Sequence, residues 1–302
     1  MSGLVLILGQ SGRFGRHAAE AFWNAGWRVR VFDRTTDDLM EAAEGADVIV
    51  NAWNPPYPEW ARTVPALTAD VIAAARASGA TVIVPGNVYV YGADAPERLT
   101  RNTPHRASNP LGCIRVALEE AYRTSGVQTI LLRGGDFIDT EASGNWFDQV
   151  IVSKLDKGSV TLPGPSDRVH AWAYLPDMAR AAVELAEMRE RFDTFTEVGF
   201  PGYALTLGEL AERIERATGT PVKTRRFPWW TLVPALPFWA MGRSLFEMRY
   251  LWSMPHRIDG ADFERLLPDF RATDPVTALG RAVAHKVHPH DAMPRGAAHF
   301  AA

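Results

Sequence analysis

The chain has 302 residues, 47% of them hydrophobic and 22% charged. That length suits one large domain or two closely packed ones, with the composition of an ordinary globular protein. A formal net charge of −3, with Lys and Arg scattered along the chain, leaves no global field or basic groove for nucleic acid. The single cysteine, Cys113, has no partner for an internal disulfide, and no Cys/His cluster suggests a metal site. Cys113 reads as a buried structural thiol, and this cysteine usage fits a reducing cytoplasm. The start Met1-Ser2-Gly3-Leu4 lacks the basic region and long apolar run of a secretion signal.

The first half alternates short apolar runs with longer amphipathic segments. Leu4–Leu8 is continuously apolar, as a strand buried on both faces should be. A helix is expected over 16–25, then strands at Arg28–Phe32 and Val48–Asn51. A long helix over 59–78 ends at Gly79, followed by a strand at 81–84, a helix over 110–125 and a strand at 128–132. This rhythm predicts an α/β fold: a doubly wound parallel Rossmann sheet with helices on both faces. Beyond Asp136, Gly144, Gly158, Pro163, Gly164 and Pro165 mark loops and turns. A helix over 176–188 and a strand at 195–198 follow, then a helix over 207–217 with Thr206 as N-cap and Glu209 as its capping-box partner. The run 227–241 is apolar but holds three prolines and is too short to span a bilayer. It is read as buried or lid-forming structure rather than a membrane or partner patch. Trp229, Trp230, Trp239 and Trp252 are read as core of a smaller C-terminal α/β subdomain. The expected division is a dinucleotide-binding domain over 1–160, rejoined by 175–200, and a mostly substrate-binding part over 161–302. The tail after His285 is polar and expected to be loose.

The strongest motif is Gly9-Gln10-Ser11-Gly12-Arg13-Phe14-Gly15, between a strand and a helix. Glycines there permit a tight turn, close approach of a pyrophosphate, and tight helix–strand packing. The helix N-terminus adds free N–H groups and a positive dipole end. Asp33, at the end of the second strand, suits ribose hydroxyls and favours NAD. Arg34, assisted by Arg13, suits the extra phosphate of NADP. The balance of charge favours NAD, and a solvated surface role for both arginines stays open.

Further runs follow in a set order: Asp47-Val48-Ile49-Val50-Asn51-Ala52, Val88-Tyr89-Val90-Tyr91-Gly92, Leu132-Arg133 before Asp136, and Tyr174-Leu175-Pro176-Asp177. With the G-x-x-G-x-x-G spacing, they resemble the extended short-chain dehydrogenase/reductases of the NAD-dependent epimerase/dehydratase type, over nearly the whole chain. The resemblance implies a Ser/Tyr/Lys catalytic set. Here Asn87 stands at the serine position, Leu111 at the tyrosine position and Arg115 at the lysine position. Leucine cannot donate a proton, whereas asparagine can still bind a substrate oxygen and arginine can hold a ribose or phosphate.

The resemblance therefore implies cofactor contacts from Gly9, Ser11, Gly12, Arg13, Phe14, Gly15, Asp33, Arg34, Asn51, Ala52 and Arg115. The catalytic candidates are Asn87, Tyr89, Arg115 and Asp136. Asn87, Tyr91, Asp136 and His170 form the substrate-facing set. His170 stands where the family has a phosphate-binding arginine, which argues against a nucleotide-sugar. Two readings remain. One is an NAD(P)-dependent oxidoreductase or epimerase-like enzyme acting on a small carbonyl or carbinol compound through a non-standard proton donor. The other is a catalytically silent dinucleotide sensor. A homodimer through the helices at 59–78 and 110–125 is implied by the resemblance alone.

Overall fold

A computed structural model describes residues 3–287. The first half runs β1 (Leu4–Leu8), α1 (Arg13–Asn24), β2 (Arg28–Phe32), α2 (Leu39–Ala43), β3 (Val48–Asn51), α3 (Trp60–Ser78), β4 (Thr81–Gly86), β5 (Arg98–Leu99), α4 (Pro110–Thr124) and β6 (Thr129–Arg133). The second half runs β7 (Asp136–Ile138), β8 (Ser159–Leu162), β9 (Val169–Tyr174), α5 (Leu175–Glu187), β10 (Phe195–Gly199), β11 (Tyr203–Thr206), α6 (Leu207–Thr218), β12 (Lys223–Arg226), α7 (Ala240–Glu247), β13 (Arg257–Ile258), α8 (Ala261–Leu266) and α9 (Pro275–Val287). The tail beyond 287 lies outside the described residues.

Six parallel strands form the main sheet, in the order β2-β1-β3-β4-β6-β10. The chain winds outward from β1 in both directions, so β1 and β3 flank the switch point where such sheets bind ligands. Alternation along each strand builds two cores. Leu4, Leu6 and Leu8 face one side with Ile49, Val82 and Leu131, against α3 and α4. Val5 and Ile7 face the other with Val48, Val50, Ile83 and Ile130, against α1 and α5. A third core joins β8, β9 and β11 to α6 and α9. The chain returns to the main sheet through α5 and β10, and Phe263 of α8 enters the α1/α5 core.

Helix α1 begins at Arg13, three residues before the expected start, because Gly12 is its N-cap and the turn closes at once. At α6 the capping box forms as expected. The Thr206 hydroxyl accepts from the Glu209 amide at 3.1 Å, and the Glu209 carboxylate accepts from the Thr206 amide at 2.8 Å. The structure departs from expectation at Cys113, in the burial of the 227–241 run, and at Trp230 and Trp239. Cys113 is exposed, since the buried stripe of α4 is Leu111, Arg115, Leu118 and Tyr122. The 227–241 run is not buried: Trp230 is 75% exposed and Phe238 is 93% exposed. Prolines at 228, 234 and 237 break it into short turns that cannot present one apolar face inward. Trp229 and Trp252 do join the third core, but Trp230 and Trp239 do not.

Arg133, the last residue of β6, ties these elements together and is only 1% exposed. Its Nε donates to Glu197 of β10 at 2.7 Å, and its terminal nitrogens donate to Glu119 of α4 at 3.0 and 2.8 Å. A further bond reaches the Asn87 carbonyl beyond β4. His105, Glu119 and Glu197 cluster as metal ligands would, but the guanidinium already pairs both carboxylates. Replacing Arg133 by Met should lower stability by about 3–5 kcal/mol, because two buried carboxylates would lose the guanidinium that pairs them. Urea unfolding with an unchanged slope checks this.

Candidate functional site

The glycine loop lies at the switch point between β1 and β3. Gly9 adopts φ +82°, and its carbonyl accepts the Gly12 amide at 2.9 Å. A Cβ on Gly15 would run into the Gly9 carbonyl. The first turn of α1 carries no acidic residue, and Gly12 supplies no side-chain cap. Its amides therefore point outward with the positive dipole end unopposed. Glycines at 9, 12 and 15 keep their own side chains out of this turn, so the loop fits a dinucleotide.

Side chains around the loop are arranged more specifically than the sequence implied. Phe14 is buried behind the loop in the α1/α5 core, and Ser11 is exposed at its tip. Asp33 is exposed and accepts the Thr35 amide at 2.9 Å and the Thr35 hydroxyl at 2.7 Å. These bonds hold its carboxyl below the usual carboxylate range. Arg34 lies over the Trp53 ring at 5.8 Å. Arg13 reaches the other way, its Nε and one terminal nitrogen donating to the carbonyls of Ser143 and Gly144 at 3.1 and 2.6 Å. Asn51 is buried and donates to the Tyr122 hydroxyl at 2.8 Å, so its side chain serves the fold. Ala52 supplies backbone that closes on Gly9.

At the end of β4, the Asn87 side-chain oxygen accepts the Tyr89 amide at 3.0 Å. Its amide nitrogen has no partner among the described residues. Tyr89 meets a residue the sequence reading missed: its hydroxyl lies 2.7 Å from that of Tyr57. Both phenols are pushed up by burial, with the Asp136 charge adding to the effect. Tyr57 follows β3 in a Pro-rich loop, and only folding brings that loop beside β4. Trp60 stacks on Tyr89, with centroids 6.3 Å apart.

Helix α4 starts against this cluster. A Cβ on Gly112 would come within 2.9 Å of the Tyr89 carbonyl. Leu111 is buried, and its amide donates to Glu247 of α7 at 2.8 Å. Arg115 is withdrawn from the surface: it is 6% exposed, donates to the Pro85 carbonyl at 2.8 Å and lies over Trp60. Burial lowers its pKa, and Glu119 opposes that effect. Tyr91 is likewise buried, under the Arg133 guanidinium and near Glu197, and so faces no substrate.

Asp136 and His170 form a pair at 2.6 Å. Asp136 is partly exposed, whereas His170 is 2% exposed and stacks flat on Trp252 at 4.5 Å. His170 therefore lies buried behind the partly exposed Asp136. His256 lies 4.4 Å from His170, edge to face, and was not singled out in the sequence because nothing local marks it.

The model of the NAD-dependent epimerase/dehydratase family matches residues 5–198. The chain belongs to that family. It is an NAD(P)-binding protein of the oxidoreductase/epimerase type. MoeE5, solved with UDP-glucose and NAD, is 16% identical with a TM-score of 0.72, covering 93% of this chain and 97% of that one. Bordetella bronchiseptica WbmH, solved with NAD+, is 14% identical with a TM-score of 0.72, covering 94% and 98%. The Brucella ovis UDP-glucose 4-epimerase, solved with NAD, is 17% identical with a TM-score of 0.69, covering 95% and 99%. At these identities the likeness is one of fold. No curated protein matches the chain.

Two outcomes are expected. Gly15→Ala should weaken NAD binding at least tenfold in calorimetric titration, because helix and strand must separate to admit the methyl group. His256 is fully buried, and burial depresses its pKa to about 3 from an unfolded value near 6.5. The unfolded chain then binds the extra proton first, so stability should fall as pH drops from about 6.5 toward 3, by at most about 1.4 kcal/mol per pH unit. His256→Gln should flatten that slope in urea unfolding measured across this range.

Proposed function

We propose that the protein oxidises and reduces, or epimerises, a carbinol centre in a small substrate of the sugar-nucleotide class, using NAD. The observation that carries this reading is the Tyr57–Tyr89 phenol pair, at the foot of α4 and within the field of Asp136. It supplies hydroxyl groups where Leu111 has removed one. The MoeE5 complexes with UDP-glucose and UDP-glucuronic acid support the substrate class. With Nε2 engaged by Asp136, His170 does not replace the family's arginine on a phosphate, so a diphosphate would rely on other groups.

The bound dinucleotide would supply the hydride acceptor and donor. Gly9, Gly12 and Gly15 would admit its pyrophosphate. Asp33, ionised and exposed, would take the ribose hydroxyls and so favour NAD. The free amide of Asn87 would hold the substrate oxygen. Because burial keeps both phenols protonated at neutral pH, Tyr89 and Tyr57 would donate hydrogen bonds rather than act as phenolate. Asp136 would accept the hydroxyl proton, oriented by His170. Leu111 and the withdrawal of Arg115 favour a second reading, a dinucleotide sensor without turnover. We also propose the α3–α4 pair as a dimer face, with Ala61, Ala66, Ala69 and Ala73 outermost on α3.

Titration with NAD, NADH, NADP and NADPH, followed by NADH formation with UDP-glucose and UDP-glucuronic acid, tests the proposal. Asp136→Asn should lower kcat by about 10²–10⁴-fold with NAD affinity unchanged. An unaltered kcat would remove Asp136 from the mechanism. Tight NAD binding with no turnover of any carbinol would favour the sensor.

A further inference from the structure

The sequence between Glu215 and Glu247 contains no acidic residue, in a chain whose net charge is −3. Lys223, Arg225, Arg226 and Arg243 in this stretch are all exposed, and none makes an ion pair among the described residues. Lys154, also exposed, joins Arg225 and Arg226 along a groove of about 630 Å³ without a carboxylate in its lining. Phe227 and Pro228 carry the groove wall into the Trp229–Ala235 turn.

Beyond that wall the surface is apolar. Trp230 is 75% exposed, Val233 49%, Phe238 93% and Trp239 39%. These side chains are held out by a rigid root. Trp229 donates to the Pro163 carbonyl at 2.7 Å and packs against Trp146 and Phe227. Arg243 braces the outer loop by donating to the carbonyls of Leu236 and Pro237 at 3.0 and 3.2 Å. Trp239 folds back over Gly242, where a Cβ would meet its ring.

We propose that this face docks on an anionic lipid bilayer, with Trp230 and Phe238 at the headgroup–acyl boundary and the cationic groove under lipid phosphates. Charge selects the occupant. Two copies of the patch facing each other would oppose like charges, whereas an anionic surface complements every cation in it. Exposed Trp and Phe bordered by Lys and Arg suit the interface, where one side is apolar and the other wet. Among the described residues no helix is long and apolar enough to cross a membrane, so the contact is peripheral.

The test is co-sedimentation of the full chain with phosphatidylcholine vesicles and with vesicles containing phosphatidylglycerol. Binding should be at least tenfold stronger to the anionic vesicles and should weaken with salt. The double variant Trp230→Ser/Phe238→Ser and the double variant Arg225→Gln/Arg226→Gln should each reduce it at least tenfold. All four side chains are exposed, so thermal midpoints should not move. Absence of binding to anionic vesicles would overturn the proposal, as would equal binding by either variant. Self-association in light scattering that the Trp230/Phe238 variant abolishes, without vesicle binding, would assign the patch to a second copy instead.

Discussion

The guanidinium of Arg133, at the end of β6, sits where β10, α4 and the loop after β4 converge, and each of these three presents it with an acceptor. Burial opposes its charge, but Glu119 and Glu197 outweigh that cost and hold the proton firmly. The consequence reaches the candidate site directly. The carbonyl that Arg133 holds belongs to Asn87, and the Asn87 side chain in turn holds the Tyr89 amide. A buried ion network of this kind adds less stability than its bond count suggests, since desolvation offsets most of the attraction. What it supplies here is position: the segment bearing Asn87, Tyr89 and Tyr91 is fixed against the end of the sheet.

A second constraint is the close approach of Gly15 to Gly9. It draws the start of α1 onto the end of β1 and leaves a cradle of backbone amides at the switch point. Nearby, Arg16 and His17 of α1 both bond Asp139, at 2.7 and 2.8 Å, while Arg13 bonds the 143–144 backbone. Helix α1 is thus joined to the segment that follows β7.

The departure at Leu111 is also a packing matter. Leu111 is buried in the first turn of α4, and its free amide is met by Glu247 from α7. Arg115 follows, held against Pro85 and Trp60. Two phenols from the loops after β3 and β4 then occupy the neighbouring space and bond each other.

Local pattern fixed a great deal. The continuous apolar strands, the glycine spacing and Thr206 with Glu209 each express a constraint between near neighbours, so the parallel sheet, the cradle and the α6 cap were legible in the chain. The family pattern also marked Asn87, Tyr89, Asp136 and His170 as site candidates. Tertiary structure alone decided which polar atoms remain available. Arg13, Asn51, Arg115 and Tyr91 carry suitable chemistry at suitable positions, yet each is engaged by a partner far away in sequence. Tyr57 and His256 had no local mark, because their importance arises only from Tyr89 and His170 lying beside them. Sequence periodicity determines which face of an element is apolar; whether a given face is covered, as for Trp252, or left bare, as for Trp230, depends on what the rest of the chain brings to it.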